Sequence, residues 1–216
     1  PMRFVVNPTD EAVRNWAADY HVRFLQAHPL ADGLFLDNSN GRLPTGGAAV
    51  IEATGNYTRD YADLVRRIQQ ANPNRIVVAN TVGGWEQANP VAAAVTAAFE
   101  EFQLRPMQAN WAALQDTANL VASRLAADSP APYLILDSHP GGGGSSNDPR
   151  TQLAALAYYY LLADPERTLM MFFGGANPSA AWSQSWIAAA EVDVGRPAGN
   201  MTILASGLDP QNQALE

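Results

Sequence analysis

Short apolar runs alternate along the chain with longer segments in which apolar residues recur at every third or fourth position. Runs of the first kind are typical of β-strands, and segments of the second kind are typical of amphipathic helices. The predicted strands, in chain order, are RFVVN (3–7), GLFLDN (33–38), RIVVANT (75–81), VTAAFEEF (95–102), YLILDSHP (133–140) and TLMMFFGG (168–175), with NMTILASG (200–207) as a further candidate.

Each helical segment carries one apolar stripe, which we expect to face the core. The first segment begins after Pro8-Thr9-Asp10 and the second ends near Asn72-Pro73, at residues that commonly start and stop helices. The predicted stripes are Ala12, Val13, Trp16, Ala17, Tyr20 and Phe24; Tyr61, Leu64, Val65 and Ile68; Trp111, Leu114, Ala118, Val121 and Leu125; and Leu153, Leu156, Ala157, Tyr160 and Leu161.

Alternation of strand and helix predicts an α/β fold. Near-continuous apolar strands such as RIVV, YLIL and LMMFF favour a parallel sheet whose faces are covered by helices. Polar residues cluster at the carboxyl ends of several predicted strands, which favours a (β/α)8 TIM barrel over an open sheet with one switch point. Six strand-helix units are visible instead of eight, so we expect a partial barrel whose first strands are missing, as a single domain over residues 1–216.

Composition excludes several partners. The formal net charge is -8 and charged residues make up 16% of the 216 residues, so there is no basic stripe for nucleic acid. No apolar run approaches the ~20 residues that span a bilayer, so no membrane span is predicted. The chain contains no cysteine and the N-terminal stretch PMRFVVNPTD does not read as a signal peptide, which leaves the compartment open, secretion included. The pattern does not predict an oligomeric state.

Carboxylates at the strand ends are the candidate catalytic groups. Asp37, Glu100 or Glu101, and Asp137 each close an apolar predicted strand. Glycoside cleavage needs two carboxyl groups about 5 Å apart in retaining enzymes and about 6.5 to 9.5 Å apart in inverting enzymes, a geometry that strand ends around a barrel mouth supply. Taken singly, each of these residues is more typical of a hydrogen-bonded strand end or a cap than of a catalytic group.

Neighbouring residues are candidates for substrate binding. Asn38 and Asn80 lie at strand ends, and His139 follows Asp137 by two positions. Sugar rings present C–H faces that stack on aromatic side chains, which makes Tyr57 and Trp85 candidate binding residues. No metal or other cofactor is predicted, because the remaining histidines fall in the first helical segment and the Gly-rich stretch 141–148 lacks the lysine of a phosphate loop.

Strand alternation does not choose between the two adjacent glutamates. Glu101 shares a face with Ala97 and Phe99, whereas Glu100 shares one with Ala98. Both glutamates therefore stay candidates. The apolar flanks would desolvate a general acid and raise its pKa.

Taken together, the motifs GLFLDNSNGRLP, RIVVANTVGG, FEEFQLRP, YLILDSHP and MMFFGGANPSAAWSQSWIAAAEVDVGRP resemble bacterial hypothetical glycosyl hydrolases of the TIM-barrel class. They are more distantly similar to endo-polygalactosaminidase-like and alpha-galactosidase-like barrels. The resemblance implies that Asp37 and a glutamate of FEEF form the catalytic pair, with Asp137 as a third acidic group. It also implies a longer protein, in which this chain begins at the third barrel strand.

The leading hypothesis is therefore a glycoside hydrolase that acts on a polysaccharide. A non-catalytic barrel that binds carbohydrate or serves a structural role is the alternative, because an acidic surface with loop aromatics suits binding as well as cleavage. A metal-assisted hydrolase built on Asp137 and His139 is a weaker third hypothesis. The sugar, the linkage and the stereochemical outcome do not follow from the sequence.

Overall fold

The computed structural model describes residues 7–39, 41, 56–81, 90–100, 133–138, 149–172 and 188–195. Helices and strands alternate along these residues, which confirms the predicted α/β class. In chain order the elements are α1 (Glu11–Ala27), β1 (Gly33–Leu36), α2 (Tyr57–Ala71), β2 (Ile76–Asn80), β3 (Ala97–Glu100), β4 (Tyr133–Ser138), α3 (Pro149–Leu162), β5 (Thr168–Phe172) and a 3-10 turn (Ala188–Glu191). The predicted strands 3–7 and 200–207 and the predicted helix 110–127 lie outside the described residues, apart from Asn7.

The strands belong to one five-stranded sheet with the order β1-β2-β3-β4-β5. β1 pairs with β2 in parallel, and β2 pairs with β3 in parallel. The strands lie in the sheet in the same order as in the chain. Consecutive strand-helix units whose crossovers have one hand produce this arrangement. The predicted closure of the sheet into a partial barrel stays a prediction.

Two compact units make up the chain, one of Pro1–Glu100 with Ala126–Leu134 and the other of Glu101–Leu125 with Ile135–Glu216. In the first unit, α1 and α2 pack on one face of β1 and β2. The core there consists of Ala17, Ala62, Leu64, Val65, Ile68, Val77, Ala79, Val91, Ala94 and Val95, with Leu34, Leu36 and Tyr61 against it. In the second unit, Ala155 and Leu156 of α3 form a smaller core. The single domain over 1–216 stays a prediction.

Strand alternation gives the sheet of the first unit two distinct faces. Leu34 and Leu36 of β1 and Val77 and Ala79 of β2 contribute to the helix-packed face. On the opposite face, Phe35 contacts Phe99 edge-to-face, with ring centroids 5.3 Å apart. We call this second surface the phenylalanine face.

Local capping explains where the helices begin and end. The side chain of Asp10 accepts from the Ala12 backbone N–H (2.8 Å) at the start of α1, and Asn56 accepts from Arg59 N–H (3.0 Å) at the start of α2. Beyond the end of α2, the buried Asn72 side chain donates to the Ile68 carbonyl (2.8 Å), as the predicted stop requires. In the described part of the chain no helix is long and apolar enough to cross a membrane.

Outcomes for the predicted stripes differ between the helices. Leu64, Val65 and Ile68 of α2 are buried, as predicted. The stripe of α1 is wrong for its aromatic residues, since Trp16, Tyr20 and Phe24 are 56%, 45% and 38% exposed while Ala17, Ala18 and Leu25 are buried.

These α1 rings instead lie along one another outside the core, with centroids 5.4 Å apart for Trp16 and Tyr20 and 6.5 Å for Tyr20 and Phe24. In α3 the predicted stripe is confirmed at Leu156, but Leu153 and Leu161 are exposed. Alanines together with one leucine form the buried face in each of these helices, Ala17, Ala18 and Leu25 in α1 and Ala155 and Leu156 in α3.

Candidate functional site

Polar side chains meet at the carboxyl ends of β1, β2 and β3. Asp37 directly follows β1, Asn80 is the last residue of β2, Thr81 follows it, and Glu100 is the last residue of β3. The parallel register pairs Leu36 with Ala79 and Asn80 with Phe99. Continuing this register by one residue aligns Asp37 with Asn80, and Thr81 with Glu100.

The carboxylate of Asp37 is exposed and held by two amide groups. Oδ1 accepts a hydrogen bond from Asn80 Nδ2 (2.9 Å), and Oδ2 accepts one from Asn38 Nδ2 (2.8 Å). Asn80 itself is only 2% exposed, so the amide that reaches Asp37 is part of the packed interior. Two donors on different oxygens fix the plane of the carboxylate and leave its remaining lone pairs toward solvent.

A tight turn presents Asp37 at this position. Asn38 has a φ of 52°, in the left-handed region that asparagine tolerates better than most residues. The Ser39 backbone N–H then donates to the Asn80 carbonyl (2.7 Å), which ties the turn to β2. The chain therefore leaves β1 sharply, with the Asp37 side chain facing outward.

Tyrosines of α2 contact the same turn. The Tyr61 hydroxyl lies 3.1 Å from Ser39 Oγ, and Ser39 is 1% exposed. Tyr57 stacks on Tyr61, with ring centroids 5.8 Å apart and planes 16° from parallel. Burial raises the pKa of Tyr57, and Tyr61 adds to the increase.

The charge of Asp37 also affects the pKa of Tyr61. Burial raises the pKa of its hydroxyl, the hydrogen bond with Ser39 lowers it, and the negative charge of Asp37 raises it further. The phenol is therefore neutral, and able to donate a hydrogen bond, throughout the range around pH 7.

Glu100 occupies a different environment from Asp37. It is 1% exposed, and its Oε1 accepts a hydrogen bond from Thr81 Oγ1 (2.7 Å). Alternation places Thr81 and Glu100 with Ala79 on the helix-packed side, and Asn80 with Phe99 on the phenylalanine face. The structure brings Asp37, Asn38 and Asn80 together, with Tyr57 stacked on Tyr61, and it buries Glu100 beside Thr81.

The remaining predicted residues lie elsewhere. Asp137 is a strand residue of the second unit and is 3% exposed. Glu101, Trp85 and His139 lie outside the described residues. The two helical histidines contact backbone carbonyls of their own segment, His21 that of Ala17 and His28 that of Phe24, each at 2.7 Å. Among the residues that the structure describes, no group of three or more side chains is arranged to hold a metal ion.

Ser39 and Tyr61 contact this site although the sequence does not predict them as site residues. Tyr61 belongs to a predicted core stripe, and its ring packs against the core while its hydroxyl reaches the turn. Thr81 ends the predicted strand 75–81, next to Asn80, and so belongs to the predicted cluster of polar strand-end residues. Ser39 has no comparable signal, because its contacts depend on the backbone turn at Asn38.

Comparison of the chain with models of known protein families and with curated protein sequences gives no match. Functional conclusions for this chain therefore depend on its motifs and on the geometry of the strand ends.

Proposed function

We propose that the chain is a glycoside hydrolase that cleaves a polysaccharide with Asp37 as one of two catalytic carboxylates. The observation that carries the proposal is the Asp37 carboxylate itself, which is exposed at the carboxyl end of a parallel strand and oriented by amide donors from Asn80 and Asn38. Parallel α/β folds use this edge of the sheet for catalysis.

A partial (β/α)8 barrel is the fold that we propose for this activity. Its support is the order β1-β2-β3-β4-β5, in which each strand in the chain lies beside the next. Doubly wound sheets reverse their order at a switch point, whereas barrel strands follow one another around the axis. The resemblance to hypothetical glycosyl hydrolases agrees with this interpretation.

For the second carboxylate we propose Glu101 over Glu100. Sequence alternation predicts that Glu101 shares a face with Phe99, and Phe99 pairs with Asn80, the residue that donates to Asp37. Glu100 is fully buried and hydrogen-bonded to Thr81. A general acid must reach the glycosidic oxygen of a bound sugar, and a fully buried carboxyl group does not.

In the proposed reaction the glutamic acid donates its proton to the glycosidic oxygen as the bond from that oxygen to the anomeric carbon breaks. As that bond breaks, Asp37 takes one of two roles. It either attacks the anomeric carbon to form a glycosyl ester, which water then cleaves while the glutamate takes the proton of that water, or it takes a proton from the water that attacks the anomeric carbon directly. The first route retains the anomeric configuration and the second inverts it. In both, the carboxylate needs a fixed direction, which the amides of Asn80 and Asn38 supply.

The test is the release of reducing ends from a panel of polysaccharides by the full chain and its variants. Asp37→Asn and Glu101→Gln are each expected to lower turnover by about 10²-fold or more, because each removes a proton-transferring or nucleophilic group. Asp19→Asn is the matched control, since it makes the same change at an exposed position on α1 and is expected to retain full turnover.

Glu100→Gln separates the two glutamates. It keeps the shape of a buried side chain, and turnover is expected to fall far less than with Glu101→Gln. Full activity of Asp37→Asn on an accepted glycan would rule the proposal out, and a larger loss for Glu100→Gln than for Glu101→Gln would reverse the assignment of the acid.

A non-catalytic carbohydrate-binding protein is the second candidate. The observation in its favour is that Glu100, which closes β3, is 1% exposed and so is not open to a bound sugar. Tyr57 stacked on Tyr61 beside the exposed Asp37 would suit a sugar ring and its hydroxyls. Retention of a polysaccharide in affinity electrophoresis without hydrolysis, together with loss of retention in Tyr57→Ala, would favour this function.

A further inference from the structure

A row of hydroxyl groups connects α2 to the turn that carries Asp37. Tyr61 OH lies 3.1 Å from Ser39 Oγ, and Ser39 Oγ donates to the Asp37 carbonyl across 3.4 Å. Tyr61 and Ser39 share a hydrogen bond in which either hydroxyl can be the donor. Because Ser39 is 1% exposed, these contacts take the place of hydrogen bonds to water.

We propose that Tyr61 is a positioning residue of the candidate site, which holds the turn 37–39 through Ser39 and so fixes the direction of the Asp37 carboxylate. Its effect on turnover rests on the proposed function. Its effect on the geometry of the turn does not.

The turn needs an anchor because its conformation is locally unfavourable. Asn38 lies in the left-handed region, and a non-glycine residue there relaxes unless its surroundings hold it. The bond from Ser39 N–H to the Asn80 carbonyl anchors the turn to β2 alone. The hydroxyl contact with Tyr61 supplies a second anchor from another element.

Tyr61 is itself rigid enough to serve this purpose. Its ring packs against the core of the first unit, and Tyr57 stacks on its other side. The charge of Asp37 helps to raise the pKa of the Tyr61 hydroxyl, which places the two groups within electrostatic reach. The phenol therefore joins the core to the catalytic turn.

Removal of either hydroxyl should weaken the same restraint. Tyr61→Phe and Ser39→Ala are each expected to lower kcat about tenfold with KM unchanged, which corresponds to one hydrogen bond. Because both variants break the same contact, the double variant is expected to lose no more than either alone. Tyr159→Phe is the matched control, since its hydroxyl donates to the Thr168 carbonyl (2.8 Å) in the second unit.

A second measurement does not require activity. The side-chain NH2 resonances of Asn38 and Asn80, which report their bonds to Asp37, are expected to shift in Tyr61→Phe and Ser39→Ala but not in Tyr159→Phe. If the wild-type chain hydrolyses no glycan, the proposed function fails and these resonances decide the positioning role. Unchanged resonances, or losses in kcat that add in the double variant, would overturn the inference.

Discussion

The buried amide of Asn80 donates to Oδ1 of Asp37 across 2.9 Å, which links the end of β2 to the residue that follows β1. Asn80→Ala removes this donor and leaves a gap in the interior. We expect a loss of about 1 to 3 kcal/mol in the free energy of unfolding, measured by urea denaturation. Gln70→Ala, at an exposed amide of α2, is expected to change it by less than about 0.5 kcal/mol. Equal losses would contradict a structural role for the Asn80 bond.

Thr81 is expected to stabilise the fold through Glu100. Thr81→Val keeps the shape of the side chain but removes the hydroxyl that donates to Oε1 of the buried carboxyl group. The loss should reach about 1 to 3 kcal/mol, because a hydrogen bond to a buried carboxyl group is removed. Thr81→Ser retains the hydroxyl and should lose less, as thermal or urea unfolding of the two variants would show. A more stable Thr81→Val than Thr81→Ser would contradict this account.

Backbone strain at Asn38 is separable from its side-chain bond. Asn38→Gly and Asn38→Ala both remove the amide that donates to Asp37, but only glycine adopts a φ of 52° without cost. The alanine variant should therefore unfold about 1 to 2 kcal/mol more easily than the glycine variant. Side-by-side denaturation curves provide the measurement, and identical midpoints would mean that the turn is unstrained.

Alkaline pH should weaken the fold through Tyr61. The pKa of the Tyr61 hydroxyl is raised in the folded state, mainly by burial. The stability that depends on the neutral phenol is therefore fully present below the unfolded pKa of about 10, and it is lost as pH rises through the folded pKa. Tyr61→Phe should show a shallower loss of stability above pH 10.

In Asp37→Asn, absorbance titration of tyrosinate should show a lower pKa for Tyr61, because the negative charge that helps to raise it is gone. An unchanged Tyr61 titration would contradict the electrostatic link.

Ile68 and Trp16 both belong to predicted core stripes, but only Ile68 is buried. Ile68 is 1% exposed and Trp16 is 56% exposed. Ile68→Ala is expected to cost about 2 to 5 kcal/mol, whereas Trp16→Ala should cost less than about 1 kcal/mol. Chemical denaturation followed by circular dichroism measures both. A larger loss at Trp16 would mean that the aromatic row of α1 has a partner in solution.

The helix α2 was predictable because its apolar pattern ends where Asn72 stops the helix. Its large apolar residues also form a single stripe, so only one face could be chosen as the buried one. In α1, the aromatic residues Trp16, Tyr20 and Phe24 repeat every four positions. The stripe that the fold buries has the same spacing but begins one residue later, at Ala17. Hydrophobicity favours the larger residues, but the close approach of α1 to α2 requires the smaller ones. A periodic pattern cannot distinguish these stripes without the partner helix.

Parts of the site followed from strand ends alone. Asp37 and Asn80 were recognisable because parallel strands bring their carboxyl ends to one edge. The separate environment of Glu100 was not, since the side that a residue faces depends on the register of its neighbours. Ser39 and Tyr61 meet across 22 positions of sequence through a left-handed turn, and neither position shows this on its own.

The register of β2 has a consequence for insertions and deletions. Adjacent residues of this strand end serve opposite sides of the sheet, Asn80 toward Asp37 and Thr81 toward Glu100. A deletion of one residue within β2 would send each side chain to the other side and break both contacts at once. β2 is therefore expected to accept changes of side chain far more readily than changes of length.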